Sequence, residues 1–560
     1  MKKDTIPAFS LGETHEVFNQ PAPLENYNAF DSDLALQHWA RIYGADYAED
    51  RLRQYGHQVG HELAEAGFLA NHYKPEFQTH DRFGRRIDQV NFHPAYHQLM
   101  RAAIEAGIPS IPWTEPRHGA HVARAALEYM HNQADSGSGC PLTMTFAAVP
   151  SIQTTPALAE AWLPRVTARH YDQRNIPWFE KQGVTIGMAM TEKQGGSDVR
   201  TNTTKAFASG KRGPGQAYEL VGHKWFCSAP MCDAFLVLAQ AEGGLSCFLL
   251  PRWRPDGSKN AFYVQRLKNK LGNVSNASSE VEFRGAYAQL VGEEGCGVRT
   301  IIEMVSMTRF DCMVGSSALM RAAVAQACHH TRGRSAFGRN LHQQPLMQNV
   351  LADLALEAEA ALATSLRLGH ALDNRDKESE TLFVRLATAI GKYWICKRAP
   401  NHAYEAMECI GGVGYVEENI MPRVYREAPV NAIWEGSGNV QCLDVLRAIQ
   451  KEPSVVEVFL QELDRSKGRD KHFDRYLADL KKEFSDLASL EYRSRRVVEK
   501  LALALQASVL LRHGDQTVAE AFVSSRLVGD SGLNYGTLGK SVSCQAIMER
   551  ATPQLAGDAV

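Results

Sequence analysis

A lone carboxylate between an indole and a run of glycines is the most chemically pointed feature of this chain: Ile433-Trp434-Glu435-Gly436-Ser437-Gly438-Asn439. Apolar surroundings raise a carboxyl's pKa, as a proton-abstracting base at neutral pH requires. The flanking glycines let backbone N–H groups come close to a ligand. A second segment, Gly187-Met188-Ala189-Met190-Thr191-Glu192-Lys193-Gln194-Gly195-Gly196-Ser197-Asp198, sets adjacent glycines among hydroxyl and N–H donors. That suits the polar edge of a ring system or a phosphate. It is neither GxGxxG nor a P-loop, since no Gly-Lys-Ser/Thr follows. A third, Val221-Gly222-His223-Lys224-Trp225-Phe226-Cys227-Ser228, places a Trp–Phe pair just before a hydroxyl, a flat wall for a planar cofactor. Each also has a plain structural reading: a turn with an exposed Glu, an ordinary loop, and a strand's aromatic core.

The elements that must position these segments follow from hydrophobic periodicity. Residues 1–45 are polar with prolines at 7, 21 and 23, and read as an extended arm. From 46 to 182 the pattern is helical, with Val122, Ala125, Ala126 and Tyr129, then Leu158, Ala161 and Trp162, at three- and four-residue steps. Near Val184 the signal changes to short apolar runs at 218–221, 234–239, 246–250 and 281–283, separated by turn residues. This predicts an antiparallel sheet or small barrel over 183–294. From 295 to 450 the pattern is helical again, with Leu351, Leu354, Ala355 and Ala358 on one stripe. A more charged helical segment, 451–560, ends in a loop-like tail after Gly529. The fold class is therefore α+β, with a β domain between two helical layers.

Composition narrows the function classes. The 560 residues are 44% apolar and 22% charged with a net charge of −2, the mixture of a globular chain. No run reaches the roughly 18 uncharged apolar residues of a membrane helix. The start, Met1 to Pro7, carries two lysines with no apolar stretch behind them, so no secretory signal is expected and the cytoplasm is the expected compartment. The 11 cysteines form no CxxC pair or zinc-spaced block and read as reduced. Cys328, His329 and His330 point in different directions on a helix, so no metal site is expected.

Taken together, MTEKQGGSD, GHKWFCS, GGVGY and IWEGSGN in this order resemble the acyl-CoA dehydrogenase flavoproteins. HEVFNQPAPL, MTRFDC, APVNAIWEGSGN and the added C-terminal segment resemble a bacterial subgroup of that family belonging to the adaptive response to DNA alkylation. The similarity runs from about residue 15 to 540. It implies FAD held between the β domain and the second helical bundle, with a further C-terminal helical domain at 451–560. Met190, Thr191, Gly196 and Ser197 would line the isoalloxazine; Trp225, Phe226, Cys227 and Ser228 would border it. Ile433, Trp434, Gly436, Ser437, Gly438 and Asn439 would continue the site. Family members are usually tetramers in which an R-x-x-F-G segment, here Arg334 to Gly338 with Phe337, reaches the neighbour's FAD pyrophosphate. Glu435 falls on the catalytic base, which removes an acyl α-proton while a hydride passes to flavin N5. The family's other base position holds Thr308, before Arg309. Trp434 replaces the usual Tyr, and Glu408 stands where relatives carry Gln; both count against efficient turnover.

The same similarity implies binding of double-stranded DNA through the C-terminal helices. Residues 451–560 hold 16 Lys+Arg against 16 Asp+Glu, so only local clusters qualify. Arg493, Arg496 and Lys500 share a helical face, with Arg495 beside them; Arg447 and Lys451 sit four apart, and Lys467, Arg469 and Lys471 form a further short patch. Solvated helix faces are the ordinary explanation of such clusters. Contacts of this kind would go to phosphates and be sequence-independent and salt-sensitive. The expectation is an FAD-binding homotetramer of the alkylation response with weak dehydrogenase capability. The alternatives are a working short- or branched-chain acyl-CoA dehydrogenase, or a non-catalytic acyl-binding regulator.

Overall fold

The computed structural model describes residues 15–486 and 488–555; the Met1 to Pro7 stretch lies outside them. Residues 15–28 carry no helix or strand, a turn follows at 29–32, and Asp33 then caps the helix Leu34–Ile42 by accepting from Leu36 N at 3.0 Å. The arm therefore ends in a helix before residue 45. It lies on the far end of the long helix Gly297–Gly333, where His329 Nε2 meets Ala22 O at 2.8 Å.

The N-terminal layer is helical apart from one hairpin, Glu76–His80 with Arg86–Asn91, which the helical reading of 46–182 does not contain. Its turn is built by Asp81, whose Oδ1 accepts from Phe83 N and Arg85 N at 2.8 and 2.9 Å, with Gly84 at φ +77°. The centre of the layer is the helix Ala120–Ala134, buried along its whole length. Its Arg124 stacks on Phe146 at 3.9 Å and donates at 2.7 Å to Asp311 of the long helix, tying this layer to the bundle.

The β domain is a seven-stranded sheet in the order Ile186–Ala189, Ala234–Ala241, Lys205–Ala208, Ala217–Ser228, Ser278–Val291, Gly244–Pro251. Phe262–Leu267 adds to Ser278–Val291, and Gly244–Pro251 pairs back onto Ala234–Ala241, closing a barrel. Pairing is mainly antiparallel. The exceptions are Ile186–Ala189, which runs parallel to 234–237, and the Lys205–Gln240 pair. All four residues of Ile186–Ala189 are buried, the usual condition of a parallel strand.

The helices Gly297–Gly333, Pro345–Asp373 and Glu378–Ile410 form the second bundle, joined by Gly438–Lys451. The C-terminal helices share its core rather than standing apart. Glu462 accepts from Arg367 at 2.8 Å and Arg512 at 2.6 Å, and Phe459 stacks on Phe383. The tail after Gly529 includes one more helix, Cys544–Ala551, and is laced to Pro345–Asp373 through Asn349–Leu538, Asp353–Gly536 and Glu359–Arg550 bonds. Among the described residues, no helix is long and apolar enough to cross a membrane.

Candidate active site

The MTEKQGGSD loop is anchored through Glu192, which is fully buried. Its Oε1 receives Lys224 Nζ at 2.9 Å and Thr204 N at 3.1 Å; its Oε2 receives Thr203 N and Oγ1 at 2.7 and 2.9 Å. Burial alone would raise this carboxyl, but the Lys224 ammonium and the bonds from Thr203 and Thr204 hold it well below the carboxylate range. Glu192 thus fixes the loop, while Lys193 to Asp198, including Gly196 and Ser197, are exposed and Thr191 is half-buried. Gly196 is required by close approach: a Cβ there would lie 2.3 Å from Thr191 Oγ1. Trp225 N donates to Thr191 O at 2.8 Å and joins this loop to the GHKWFCS strand.

That strand carries a bulge. Its register to Ser278–Val291 slips between Lys224 and Cys227. Lys268 Nζ lies 3.3 Å from the Trp225 ring centre and 4.6 Å from that of Phe226, so both aromatics reach one cation. Phe226 is 50% exposed, whereas the Cys227 side chain is 0% exposed. The Cys227 side chain points into the core, while Phe226 is exposed and Trp225 and Ser228 are half-buried.

The base segment is held by its own main chain. Glu435 sits at φ +57° and Gly436 at φ +99°, a left-handed pair that costs a non-glycine residue about 1 kcal/mol or more. Lys392, 1% exposed, donates to the carbonyls of Asn431, Trp434 and Gly436 at 3.0, 2.8 and 2.8 Å. Arg309 Nε and Gln441 Nε2 each bind Glu435 O at 3.0 Å. The Glu435 carboxylate then meets one hydroxyl, Thr308 Oγ1, at 2.8 Å from Oε2. Burial drives this carboxyl above its ordinary value, while the Thr308 bond and the Lys392 and Arg309 charges oppose the rise. Trp434 is pinned through Nε1 to Asn431 Oδ1 at 3.0 Å.

Cys140, on the helix Ser136–Gln153, brings the two halves together. Its thiol lies near enough to Ser228 and Asn276 of the barrel and to Glu435 of the bundle for all three to act on it. Burial pushes that thiol up to about 11, so it stays protonated. Beside Gly438, at the start of the helix Gly438–Lys451, stand Lys397 and Arg495, neither singled out as a cofactor contact by sequence.

Other expected residues lie elsewhere. Arg334 and Phe337 belong to a hairpin, Ser335–Ala336 with Arg339–Asn340, turning on Phe337 at φ +53° and Gly338 at φ +82°. Phe337 is 97% exposed at its tip, so it does not pack into the site of its own chain. Asn19 of the arm clamps this hairpin, bonding Ser335 N and O at 2.7 and 2.8 Å while its carbonyl takes Arg334 at 2.6 Å. Glu408 is exposed and held by Tyr404 OH at 2.7 Å. Of the C-terminal cations, Arg493 and Lys500 are ion-paired to Glu483. Arg496 is only 3.9 Å from that carboxylate but 71% exposed; Lys451 is exposed, and Arg447 stands 3.7 Å from Asp444.

A helical layer, a closed barrel and a bundle, with a half-buried glutamate and an aromatic-rimmed loop, make the acyl-CoA dehydrogenase fold. Residues 19–173 match the adaptive response protein AidB N-terminal domain, 187–286 the acyl-CoA dehydrogenase middle domain, and 295–450 the acyl-CoA dehydrogenase C-terminal domain. A putative acyl-CoA dehydrogenase AidB from Escherichia coli is 47% identical over 91% of this chain and 94% of its own length. A structure of Caenorhabditis elegans ACDH-11 in complex with C11-CoA superposes with a TM-score of 0.84 at 26% identity, covering 93% of this chain and 94% of that one. Butyryl-CoA dehydrogenase from Megasphaera elsdenii shares the fold at 19% identity, with a TM-score of 0.58 over 74% of this chain and 98% of that one. The chain belongs to the acyl-CoA dehydrogenase family, and within it to the AidB proteins.

The cofactor of this family is FAD, and the residues present fit it. The loop past Thr191 opens at Gly195, where a Cβ would meet nothing within 4 Å, and in the strand it joins Phe226 is exposed and Ser228 half-buried. Among the described residues Glu435 is in no ion pair and accepts one hydrogen bond, from Thr308. Among the described residues no group of His, Cys, Asp and Glu is placed to hold a metal ion.

Proposed function

We propose that this AidB-type flavoprotein oxidises a short or branched acyl thioester at low rate and associates with double-stranded DNA in the response to alkylation damage. The observation that carries the chemical half is Glu435: a half-buried carboxyl above its ordinary pKa, held by one hydroxyl on a main chain that three side chains fix. Thr191, Gly196 and Ser197, with Trp225, Phe226 and Ser228, would hold the isoalloxazine; Ile433 and the 436–439 segment would continue that contact. FAD, when bound, supplies the hydride acceptor. Glu435 takes the α-proton as the β-hydrogen leaves as hydride, so a Cα=Cβ bond forms and no other oxidant is consumed. Trp434, fixed by Asn431, narrows the acyl space and favours a short chain. The C11-CoA in the nematode structure supports an acyl thioester as ligand class. Glu435→Gln should abolish bleaching of the yellow flavin by acyl-CoAs while leaving FAD bound; a wild type that no acyl-CoA bleaches would overturn the reading and leave an acyl-binding regulator.

The DNA half rests on the AidB kinship and on Arg447, Lys451 and Arg496, which stay reachable at the surface. Phosphate contacts from several copies in a homotetramer would add up to useful retention without base reading. Binding of duplex DNA at several salt concentrations tests it, and absence of binding at low salt would sink it.

A further inference from the structure

The Ser228 hydroxyl is the end of a chain. Ser228 and Ser278 are cross-strand partners in the barrel, and their Oγ atoms lie 3.2 Å apart. Ser278 Oγ in turn accepts from Lys270 Nζ at 3.0 Å. The same ammonium donates to Asn276 O at 2.7 Å and approaches Asn273 Oδ1 at 3.4 Å. Among the described residues Lys270 has no carboxylate at ion-pair distance. The nearest acids are Glu427 and Asp135, and both are engaged elsewhere. Glu427 accepts from Asn273 N at 2.6 Å, and Asp135 caps the helix Ser136–Gln153 at Ser138 N while also receiving Ser275 and Asn71. Burial lowers this ammonium to about 8, with Cys140, Glu427 and Asp135 opposing the fall.

An ammonium has three N–H donors and no acceptor, so the bond to Ser278 can run only one way. A hydroxyl has one proton and two lone pairs; with one lone pair of Ser278 taken by Lys270, the acceptor within hydrogen-bond reach of its proton, among the described residues, is Ser228 Oγ. Ser228 then has its own proton free to give onward.

We propose that Lys270 is a positioning residue that sets the direction of the Lys270–Ser278–Ser228 relay, so that Ser228 O–H donates to the edge of the flavin ring and makes the ring easier to reduce. The proposal rests on Ser228 bordering the ring. A donor aimed where negative charge develops stabilises the reduced ring more than the oxidised one, and polarised hydroxyl chains strengthen that donation. A hydroxyl oriented the other way would do the reverse.

The test is the two-electron midpoint potential of the FAD-loaded protein, measured by dye equilibration in wild type, Lys270→Met, Lys270→Arg, Ser278→Ala and Ser228→Ala. Lys270→Met and Ser278→Ala should each lower the reduced-to-oxidised ratio at a fixed potential about tenfold, which for a two-electron couple is about 30 mV. Lys270→Arg, which keeps a donor-only cation, should restore most of it. If Ser228→Ala shifts the potential while Ser278→Ala and Lys270→Met leave it at the wild-type value with FAD bound, the relay is refuted. If Ser228→Ala also leaves it unmoved, the placement of Ser228 at the ring is what fails. Should Lys270→Met not fold, the Ser278→Ala and Lys270→Arg pair decides, because both keep the buried cation.

Discussion

Thr308 Oγ1 stands 2.8 Å from Glu435 Oε2, so the two positions that this family uses for its base are in contact, one as carboxylate and one as hydroxyl. They come from different elements: Thr308 from the long helix Gly297–Gly333, Glu435 from the turn before Gly438–Lys451. A hydroxyl donating to a carboxylate favours the ionised form, and here it works against a burial that favours the neutral one. Thr308→Val should therefore raise the Glu435 pKa further. A base acts when deprotonated, so the rising limb of acyl-CoA-driven flavin bleaching should move to higher pH, by about one unit for a bond worth about 1.4 kcal/mol. A pH–rate profile of the variant, read by stopped flow, checks this; a limb that stays in place or moves down would mean that Thr308 does not touch the working carboxylate.

Lys392 touches only carbonyls, so its part is distinct from that of the base. Lys392→Met would leave the Asn431 and Trp434 carbonyls without this donor, while Gly436 O keeps Gln441 Nε2 at 2.9 Å. Unsatisfied buried groups cost about 1–3 kcal/mol each, so a loss on the order of 2 kcal/mol or more is expected, together with release of the left-handed Glu435 conformation. Denaturant unfolding gives the first number. Bleaching at saturating acyl-CoA gives the second, which should fall by more than the unfolded fraction explains.

Much of this site was legible in the chain because its chemistry is local. IWEGSGN carries the base and its glycines in seven consecutive residues, and the short apolar runs between 218 and 283 mark four of the barrel's strands. What stayed hidden is held by partners distant in sequence. Lys392 looks like any cation in a helix until the fold brings it to carbonyls 39 to 44 residues on. Asn19 meets Ser335 across 316 residues, and Lys270 matters only through Ser278 and its cross-strand neighbour. The hairpin at 76–91 had a visible signal, alternation around an Asp-x-x-Gly turn, which the helical periodicity on either side obscured. The bulge that buries Cys227 had none, since nothing in Trp-Phe-Cys-Ser says which residue the sheet will skip.

The basic residues near the C-terminus divide into two groups with different expected behaviour. Arg447, Lys451 and Arg496 remain reachable, so replacing all three with Ala should weaken retention of duplex DNA and cut the slope of log affinity against log salt by roughly 3, at about 0.9 for each phosphate no longer neutralised. Arg493 and Lys500 are bound to Glu483, so their replacement should lower the unfolding midpoint instead, with a smaller effect on the salt slope. Filter-binding or fluorescence titrations across salt concentrations separate the two. The opposite ranking would move the DNA-binding surface onto the Arg493 face.

The arm and the hairpin make a joint prediction. Phe337 is exposed at the tip and Asn19 clamps the hairpin's root. If the hairpin reaches a second copy of the chain, Phe337→Asp should shift the particle to smaller mass in sedimentation velocity and loosen FAD. Asn19→Ala should loosen FAD in the same direction with a smaller change in mass. A Phe337→Asp variant with the same mass as a wild type that sediments above monomer mass would remove the hairpin from the interface.

The cost of keeping Glu435 buried should itself be measurable. A carboxyl whose folded pKa lies above its unfolded value holds its proton more tightly when folded. Its contribution to stability is then fully present below the unfolded value of about 4.5 and is lost as pH rises through the folded value. Above that point the wild type carries a charge in a site that disfavours it, whereas Gln at 435 is neutral at every pH and can still accept from Thr308. Glu435→Gln should accordingly melt higher than the wild type near pH 8, with a gap that narrows steadily as pH falls towards 5. The measurement is a pair of thermal unfolding curves at each pH on FAD-loaded protein. A gap of constant size would assign the difference to shape rather than charge. A gap of the opposite sign would mean that the Lys392 and Arg309 charges outweigh burial, and that Glu435 is ionised at lower pH than its surroundings otherwise dictate.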